Sequence, residues 1–364
     1  MSNQAHTLER RVEEVQHYYG GTLTDKEDLA TNVCTVDEPP SETIKAILAQ
    51  IHEDVQMRFY GCGAPFPPLL EGATVLDLGC GGGRDCFVLS SLVGEQGKVI
   101  GVDATAEQIA FAQDYVEHHR EVFGYAKSNV QFLQGKIEAL DKLGIAPESV
   151  DVIVSNCVIN LSMTKADVLA GMAKLLKPGG EIYFADIYAD RRLAPELKND
   201  PLIVGECIGD ALYFEDFVRL ARAAGFLDVR ITAKALKTIA NPAIEAKLGG
   251  AKLYSITLRL FKMDLEDRCE DYGQVAIYKG NLPEAPDRFV LDNGHAFDTG
   301  WAVSVCRNTA DMIRKSRYRT LFDVIGEGRR HYGLFQCGAQ QIEFTPALAD
   351  AGVCGPSSLS DLNS

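Results

Sequence analysis

The chain has 364 residues, a net charge of −15, a sequence pI near 5.0, 46% hydrophobic residues and a mean hydropathy of −0.05. This length leads one to expect about two domains, and the acidic balance argues against nucleic-acid phosphates or an anionic membrane as partners. No apolar run approaches the roughly 18 residues of a membrane span, and Met1–Glu14 is polar rather than a secretory leader. A cytoplasmic protein, a monomer acting on a small molecule, is therefore the expectation.

Leu8, Val12, Val15 and Tyr19 recur at helical spacing and predict an amphipathic N-terminal helix. A loop with Gly20-Gly21 and Cys34 follows. Ser41 then caps a second predicted helix carrying Ile44, Ile47, Leu48, Ile51 and Val55 on one face. Residues 1–58 read as a helical lid with a Cys34 loop. Next comes Phe59-Tyr60-Gly61-Cys62-Gly63. Glycine on both sides of a cysteine reads as mobility and access, at an entropy cost that a packing site would avoid.

Val75-Leu76-Asp77-Leu78-Gly79-Cys80-Gly81-Gly82-Gly83-Arg84-Asp85 is a strand, a tight turn and the start of a helix. Gly79, Gly81 and Gly83 let a ligand approach the main chain. Asp77 would repel a pyrophosphate but accept from an ammonium, and Arg84 stands where a dinucleotide fingerprint wants a small residue. Lys98–Asp103 is a second strand ending in an acid, which suits the hydroxyls of an adenosyl ribose. These features favour S-adenosylmethionine over a dinucleotide.

The alternation continues through strands predicted at Val130–Gln134, Val150–Ser155, Glu181–Asp186, Asp228–Thr232 and Tyr254–Phe261. Seven strands, the last antiparallel, make an α/β class I methyltransferase sheet, doubly wound, over residues 59–263. Ile137 and Glu138, after the third strand, would cover the adenine. Tyr60, Ala104 and Asn156 are counted with the cofactor site. The fourth strand runs into Cys157, which should face the pocket because ligands bind beyond the carboxyl ends of such strands. Cys207 lies between Gly205 and Gly209 on a segment expected to cover the site.

A charged stretch, Asp264 to Glu270, marks a boundary. Residues 264–354 read as a smaller α+β domain with strand-like runs at Gln274–Tyr278, Phe289–Leu291 and Ala302–Cys306 and a helix around Ala310–Arg317. Residues 355–364 read as a flexible tail. His118-His119 reads as a solvated helix face.

Ten cysteines without any Cys-x-x-Cys read as reduced thiols rather than a zinc ribbon or disulfide framework. Cys34, Cys62, Cys157 and Cys207 are placed around one pocket. Several thiols facing a methyl sulfonium suggest thiolate-held zinc, a nucleophilic cysteine, or a soft substrate atom ligated by sulfur. Trivalent arsenic fits the last case: three sulfurs bind it as a trigonal pyramid and leave a lone pair at the apex. Cys80 and Cys86 read as packing within the cofactor loop.

Four stretches then carry a family resemblance: Phe-Tyr-Gly-Cys-Gly at 59–63, Asp-Leu-Gly-Cys-Gly-Gly-Gly-Arg-Asp-Cys at 77–86, Ser-Asn-Cys-Val-Ile-Asn-Leu at 155–161 and Gly-Glu-Cys-Ile-Gly at 205–209. From about Cys34 to Gln336 the sequence resembles the arsenite methyltransferases. The resemblance implies that Cys62, Cys157 and Cys207 hold As(III) and that Cys34 joins a thiol–disulfide relay with Cys62. It also implies successive methylations supported by glutathione or thioredoxin as thiol reductant. Ala104 departs from the family, whose members carry methionine there. Two other readings stay open: a methyltransferase for an organic molecule such as a sterol or quinone, and a non-enzymatic thiol sensor of As(III) or Zn(II).

Overall fold

The computed structural model describes residues 31, 33, 40–59 and 61–336. The helix expected around Leu8–Tyr19, Cys34, Tyr60 and the tail 355–364 lie outside these residues.

One mixed sheet organises the molecule. Its strands are β1 (Thr74–Leu78), β2 (Lys98–Asp103), β3 (Val130–Gln134), β4 (Val150–Asn156), β5 (Leu176–Ala189), β6 (Leu212–Tyr213), β7 (Val229–Lys237) and β8 (Leu253–Phe261). The order is β3-β2-β1-β4-β5-β8-β7, with β6 beside the end of β5. β1 to β5 pair in parallel, whereas β8 runs antiparallel to both β5 and β7. Helices cover the parallel strands on both faces, so these strands read as continuous apolar runs. All nine residues of β8 are buried.

The seven expected strands are all present. The two-residue β6 was not anticipated, being too short to show a period. β5 and β7 run longer than expected, because register irregularities at Val150/Val152 and Ile231/Ala233 let the ladders continue past a break.

The second predicted helix is two helices, Glu42–Leu48 and Glu53–Met57. Ser41 caps the first by accepting from the Ile44 amide at 3.3 Å. His52 caps the second by accepting from the Asp54 amide at 3.2 Å. Ile44, Ile47, Ile51 and Val55 nonetheless share one buried cluster with Phe87 and Leu89 of the helix Arg84–Val93, as their spacing implied.

Past Phe261 the chain builds β9 (Glu270–Asp271), β10 (Gln274–Tyr278), β11 (Arg288–Asp292), β12 (His295–Asp298), β13 (Ala302–Val305), β14 (Phe322–Ile325) and β15 (Gly333–Leu334). β10 sits between β13 and β14, and β11 pairs with β12 as a hairpin. The helix Arg307–Lys315 packs on this sheet. Its start is set by Cys306, whose Sγ accepts from the Thr309 amide at 3.5 Å.

The His118-His119 reading holds for only one of the pair. His118 is exposed but His119 is buried. The His119 ring stacks on Phe87 at 3.8 Å, its Nδ1 donates to the Tyr115 carbonyl at 2.8 Å, and its Nε2 accepts from the His52 amide at 3.3 Å. Burial holds it neutral, pushing its pKa down to about 4.

Candidate active site

The carboxyl ends of β1, β2 and β4 open into one cleft, where the strand order reverses between β1 and β4. The cleft encloses about 1080 Å³, counting its mouth. Asp77, Gly79, Gly81, Asp103, Ala104, Ile137, Glu138, Asn156 and Cys157 all line it; Gly83 closes the turn without reaching the wall.

Gly81 takes φ +50°, and a Cβ built on it would stand in open space. A ligand can therefore lie against that backbone, which is the fit an adenosyl sulfonium compound needs. Asp103 ends β2 with its carboxylate held by the Gly81 amide at 3.0 Å and the Thr105 amide at 2.8 Å. These bonds fix its direction and leave lone pairs for two ribose hydroxyls.

Asp77, Asp85 and Asp103 crowd one cleft. Burial, then the charge of Asp85, raises the Asp77 pKa to about 8. Cys86 donates to its Oδ2 at 3.2 Å. Burial raises Asp85 as well, against the pull of Arg84, whose guanidinium lies 3.2 Å away. A site whose acids are reluctant to ionise is set up to accept a cation.

Arg84, Asp85, Phe59, Thr105 and Gln108 line this cleft although sequence reasoning singled none of them out as site residues. Arg84 stacks on the Phe59 ring at 3.6 Å. The available signal was position: Arg84 and Asp85 open the first turn of the helix after the glycines.

Behind the cleft three sulfurs meet. Cys62 and Cys157 form a disulfide. The Cys207 thiol donates to the Cys157 carbonyl at 3.0 Å. All three are at most 4% exposed and share a buried cluster with Val33 and Ala185. Cys62 is bonded to Cys157; the expected relay between Cys34 and Cys62 involves a residue outside those described.

Each cysteine is placed by identifiable forces. Cys157 and Cys207 take φ +58° and +59°, the left-handed region that a residue with a Cβ enters at a cost of about 1–2 kcal/mol. The Cys157 amide donates to the Ala185 carbonyl at 2.8 Å, and the Cys207 amide to the Val204 carbonyl at 2.9 Å. Cys62 is held by Asn156, whose Oδ1 accepts from the Cys62 amide at 3.0 Å and the Gly63 amide at 3.2 Å. Asn156 Nδ2 donates to the Gly63 carbonyl at 2.8 Å and to Asp85 at 3.1 Å.

The glycines beside Cys62 are therefore not there for mobility. A Cβ on Gly61 would lie 2.7 Å from Asn156 Nδ2, and one on Gly63 would lie 2.5 Å from Ala185 Cβ. Close approach of the loop to β4 and β5 requires them.

Lys165 ties the two cysteine loops together. Its ammonium donates to the carbonyls of Asn160 and Ser162 and pairs with Asp210 at 2.9 Å, three residues past Cys207. Asp186 accepts from the Asn160 amide and side chain, and burial pushes its pKa up to about 7. On the Cys207 side, buried Glu206 accepts from the amide and hydroxyl of Thr31 at 2.9 and 2.5 Å.

Cys80 and Cys86 stay thiols, since burial pushes Cys80 up to about 11 and raises Cys86 well above the usual thiol range. Among the described residues, no three His, Cys, Asp or Glu side chains stand ready to hold a metal ion. In the cysteine cluster, two of the three sulfurs are bonded to each other.

This mainly parallel sheet with its glycine turn and the acid that ends β2 defines a class I S-adenosylmethionine-dependent methyltransferase, and a methyltransferase-domain family model matches residues 69–241. A model of the arsenite methyltransferase C-terminal domain matches residues 271–346. The arsenite methyltransferase of Aquipseudomonas alcaligenes is 51% identical over 90% of this chain and 94% of its own. That of Homo sapiens is 41% identical over 86% and 84%. The crystal structure of an arsenic(III) S-adenosylmethionine methyltransferase from Chlamydomonas reinhardtii is 45% identical, with a TM-score of 0.79 over 82% of this chain and all of that one. The chain belongs to the arsenite methyltransferase family. No helix among the described residues is long and apolar enough to cross a membrane.

Proposed function

We propose that the chain methylates trivalent arsenic, with Cys62, Cys157 and Cys207 as the thiolates that present it. The observation that carries this reading is the convergence of three buried cysteines behind the cofactor cleft, with Cys157 in its lining. Bound S-adenosylmethionine supplies an electrophilic methyl group. Gly79, Gly81, Asp103, Ile137 and Glu138 would hold its adenosyl part, and Asp77 with Asp85 would face its cationic end. Tyr60, Gly83, Ala104 and Asn156 belong to the same site in this reading.

The protein's own contribution is placement. Asn156 fixes Cys62, Lys165 and Asp210 fix the loops of Cys157 and Cys207, and the arsenic lone pair is aimed by the three sulfurs that hold the atom. Holding acceptor and donor in line converts an encounter into an intramolecular step. Burial of the cluster excludes water that would otherwise compete for arsenic.

In the disulfide form two of the three ligands are absent, so a thiol reductant, glutathione or thioredoxin, is part of the cycle. Cys34 serves as a further exchanging thiol. The chain acts as a cytoplasmic monomer divided at 58, 263 and 354 into lid, catalytic domain, C-terminal domain and tail.

The test is direct. Cys157→Ser and Cys207→Ser each abolish As(III) binding by the reduced protein while S-adenosylmethionine binding survives, both read by calorimetry. Methylation of arsenite at the parental rate by either variant would overturn the three-thiolate site.

A further inference from the structure

Every residue from Ala64 to Pro68 is a proline or stands directly before one. Proline fixes its own φ and confines the residue ahead of it to extended conformations, so this run is a stiff strap rather than a loose loop. Both of its ends are tied. At the near end, Asn156 accepts from the Cys62 and Gly63 amides, and Ser255 donates to the Cys62 carbonyl at 2.9 Å. At the far end, Arg317 of the C-terminal domain donates to the Pro68 carbonyl, from Nε at 3.1 Å and from Nη2 at 3.0 Å. Arg317 is itself held. It pairs with buried Glu181 on β5 at 2.7 Å and lies over the Tyr318 ring at 4.4 Å. It also opens a short turn that Ser316 caps by accepting from the Tyr318 amide at 3.2 Å. The residue after Pro68, Leu69, takes φ +59° and packs against the C-terminal core, while Leu70 joins the buried cluster of Phe87 and Leu89. A left-handed leucine persists only where its surroundings over-determine it, and the Arg317 contact supplies part of that hold.

We propose that Arg317 is a positioning residue for the reaction: through the proline strap it sets the Cys62 thiolate against Cys157 and Cys207. This is the contribution of the C-terminal domain to the site. The inference rests on the function proposed above, in which Cys62 is an arsenic ligand. While the Cys62–Cys157 disulfide stands, a covalent bond keeps Cys62 at the cluster. Once both are thiolates that bond is gone, and the place of Cys62 depends on the two tied ends of its segment. The turns that carry Cys157 and Cys207 are held separately, through Lys165, Asp210 and the carbonyls of Ala185 and Val204. Loosening the strap therefore misplaces one thiolate of three and leaves the other two. Lysine cannot stand in for Arg317, because a single ammonium lacks the planar fork that reaches the Pro68 carbonyl and the Glu181 carboxylate together.

The test compares the parent with Arg317→Lys, with Pro68→Gly, which keeps the carbonyl but frees the strap, and with the double variant. All are reduced and measured well below their own melting temperatures. Calorimetry reads the binding of arsenite, which has three exchangeable positions on arsenic, of methylarsonous acid, which has two, and of S-adenosylmethionine. Each single variant is expected to bind arsenite about tenfold more weakly, and the double variant no more weakly than that, because both changes cut the same connection. Affinities for methylarsonous acid, held by Cys157 and Cys207, and for S-adenosylmethionine stay at the parental values. Parental arsenite affinity in Arg317→Lys, equal losses on the two arsenicals, or losses that multiply in the double variant would overturn the proposal. A reduced parent that binds no arsenite counts against the proposed function, whereas a parent that binds it no better than Arg317→Lys does counts against the strap alone.

Discussion

Asp77 is the residue whose chemistry most depends on what occupies the cleft. With its pKa raised to about 8 by burial and by Asp85, it is largely protonated at neutral pH. A bound cation favours the charged form, so binding releases a proton and affinity rises with pH up to about 8, by at most tenfold per unit. Titrating S-adenosylmethionine between pH 6 and 9 checks this; the rise is expected in the parent and lost in Asp77→Asn. A parent affinity indifferent to pH would detach Asp77 from the ligand. Asn156 carries a different load, since its amide makes four bonds, three that lock the Cys62-Gly63 segment beside β4 and one to Asp85. Asn156→Ala leaves buried amides unpaired and is expected to lower stability by about 1–3 kcal/mol, measured by urea unfolding, with weaker As(III) binding by the reduced protein. At this scale the sequence displayed the cysteines and the acids plainly. It did not display that Asn156 faces backward into the Cys62 loop, because a contact across 94 residues leaves no local pattern. It also misled about Gly61 and Gly63, where tight packing and mobility look alike on paper.

The elements that carry Cys157 and Cys207 are short turns after β4 and after the helix Pro201–Gly205, and buried polar links hold their shape alongside apolar packing. Lys165 is nearly fully buried, and burial lowers its pKa against the pull of Asp210. Asp210 also pairs with Lys198 at 2.6 Å. Asp210→Asn strips Lys165 of its counter-charge, and losing one partner of a buried pair costs about 3–5 kcal/mol. Thermal melting is expected to show that loss together with a weaker As(III) complex. A variant as stable as the parent would mean that the two loops do not depend on this link. The parallel strands were readable from their apolar runs and glycine turns, with β2 and β3 matched at both ends. The second helix was drawn as one because the apolar spacing continues through Ile51 and Val55. The break there is made by the His52 cap, which spacing does not reveal.

Across the whole molecule, the C-terminal sheet is fastened to the catalytic sheet by buried ions. Glu181 on β5 is fully buried and pairs with Arg317 at 2.7 Å and Arg259 at 3.4 Å. Arg230 on β7 is fully buried and pairs with Asp228 at 2.7 Å and Asp292 at 3.0 Å. Arg317 also donates to the Pro68 carbonyl, just ahead of β1. The charged stretch at 264–270 was visible in the sequence, but this ionic seam was not, since its members lie far apart along the chain. Glu181→Gln leaves two arginines underpaired and is expected to destabilise by about 3–5 kcal/mol. Calorimetric unfolding should then separate the C-terminal transition from the catalytic one. A single unshifted transition would show that the seam does not couple the two sheets.

The most direct measurement is arsenic K-edge X-ray absorption on the reduced protein loaded with one As(III). The expected first shell is three sulfurs in the parent, while Cys207→Ser retains no arsenic under the same loading. A parent shell of two sulfurs with oxygen, or a shell unaltered by Cys207→Ser, would contradict the three-thiolate site.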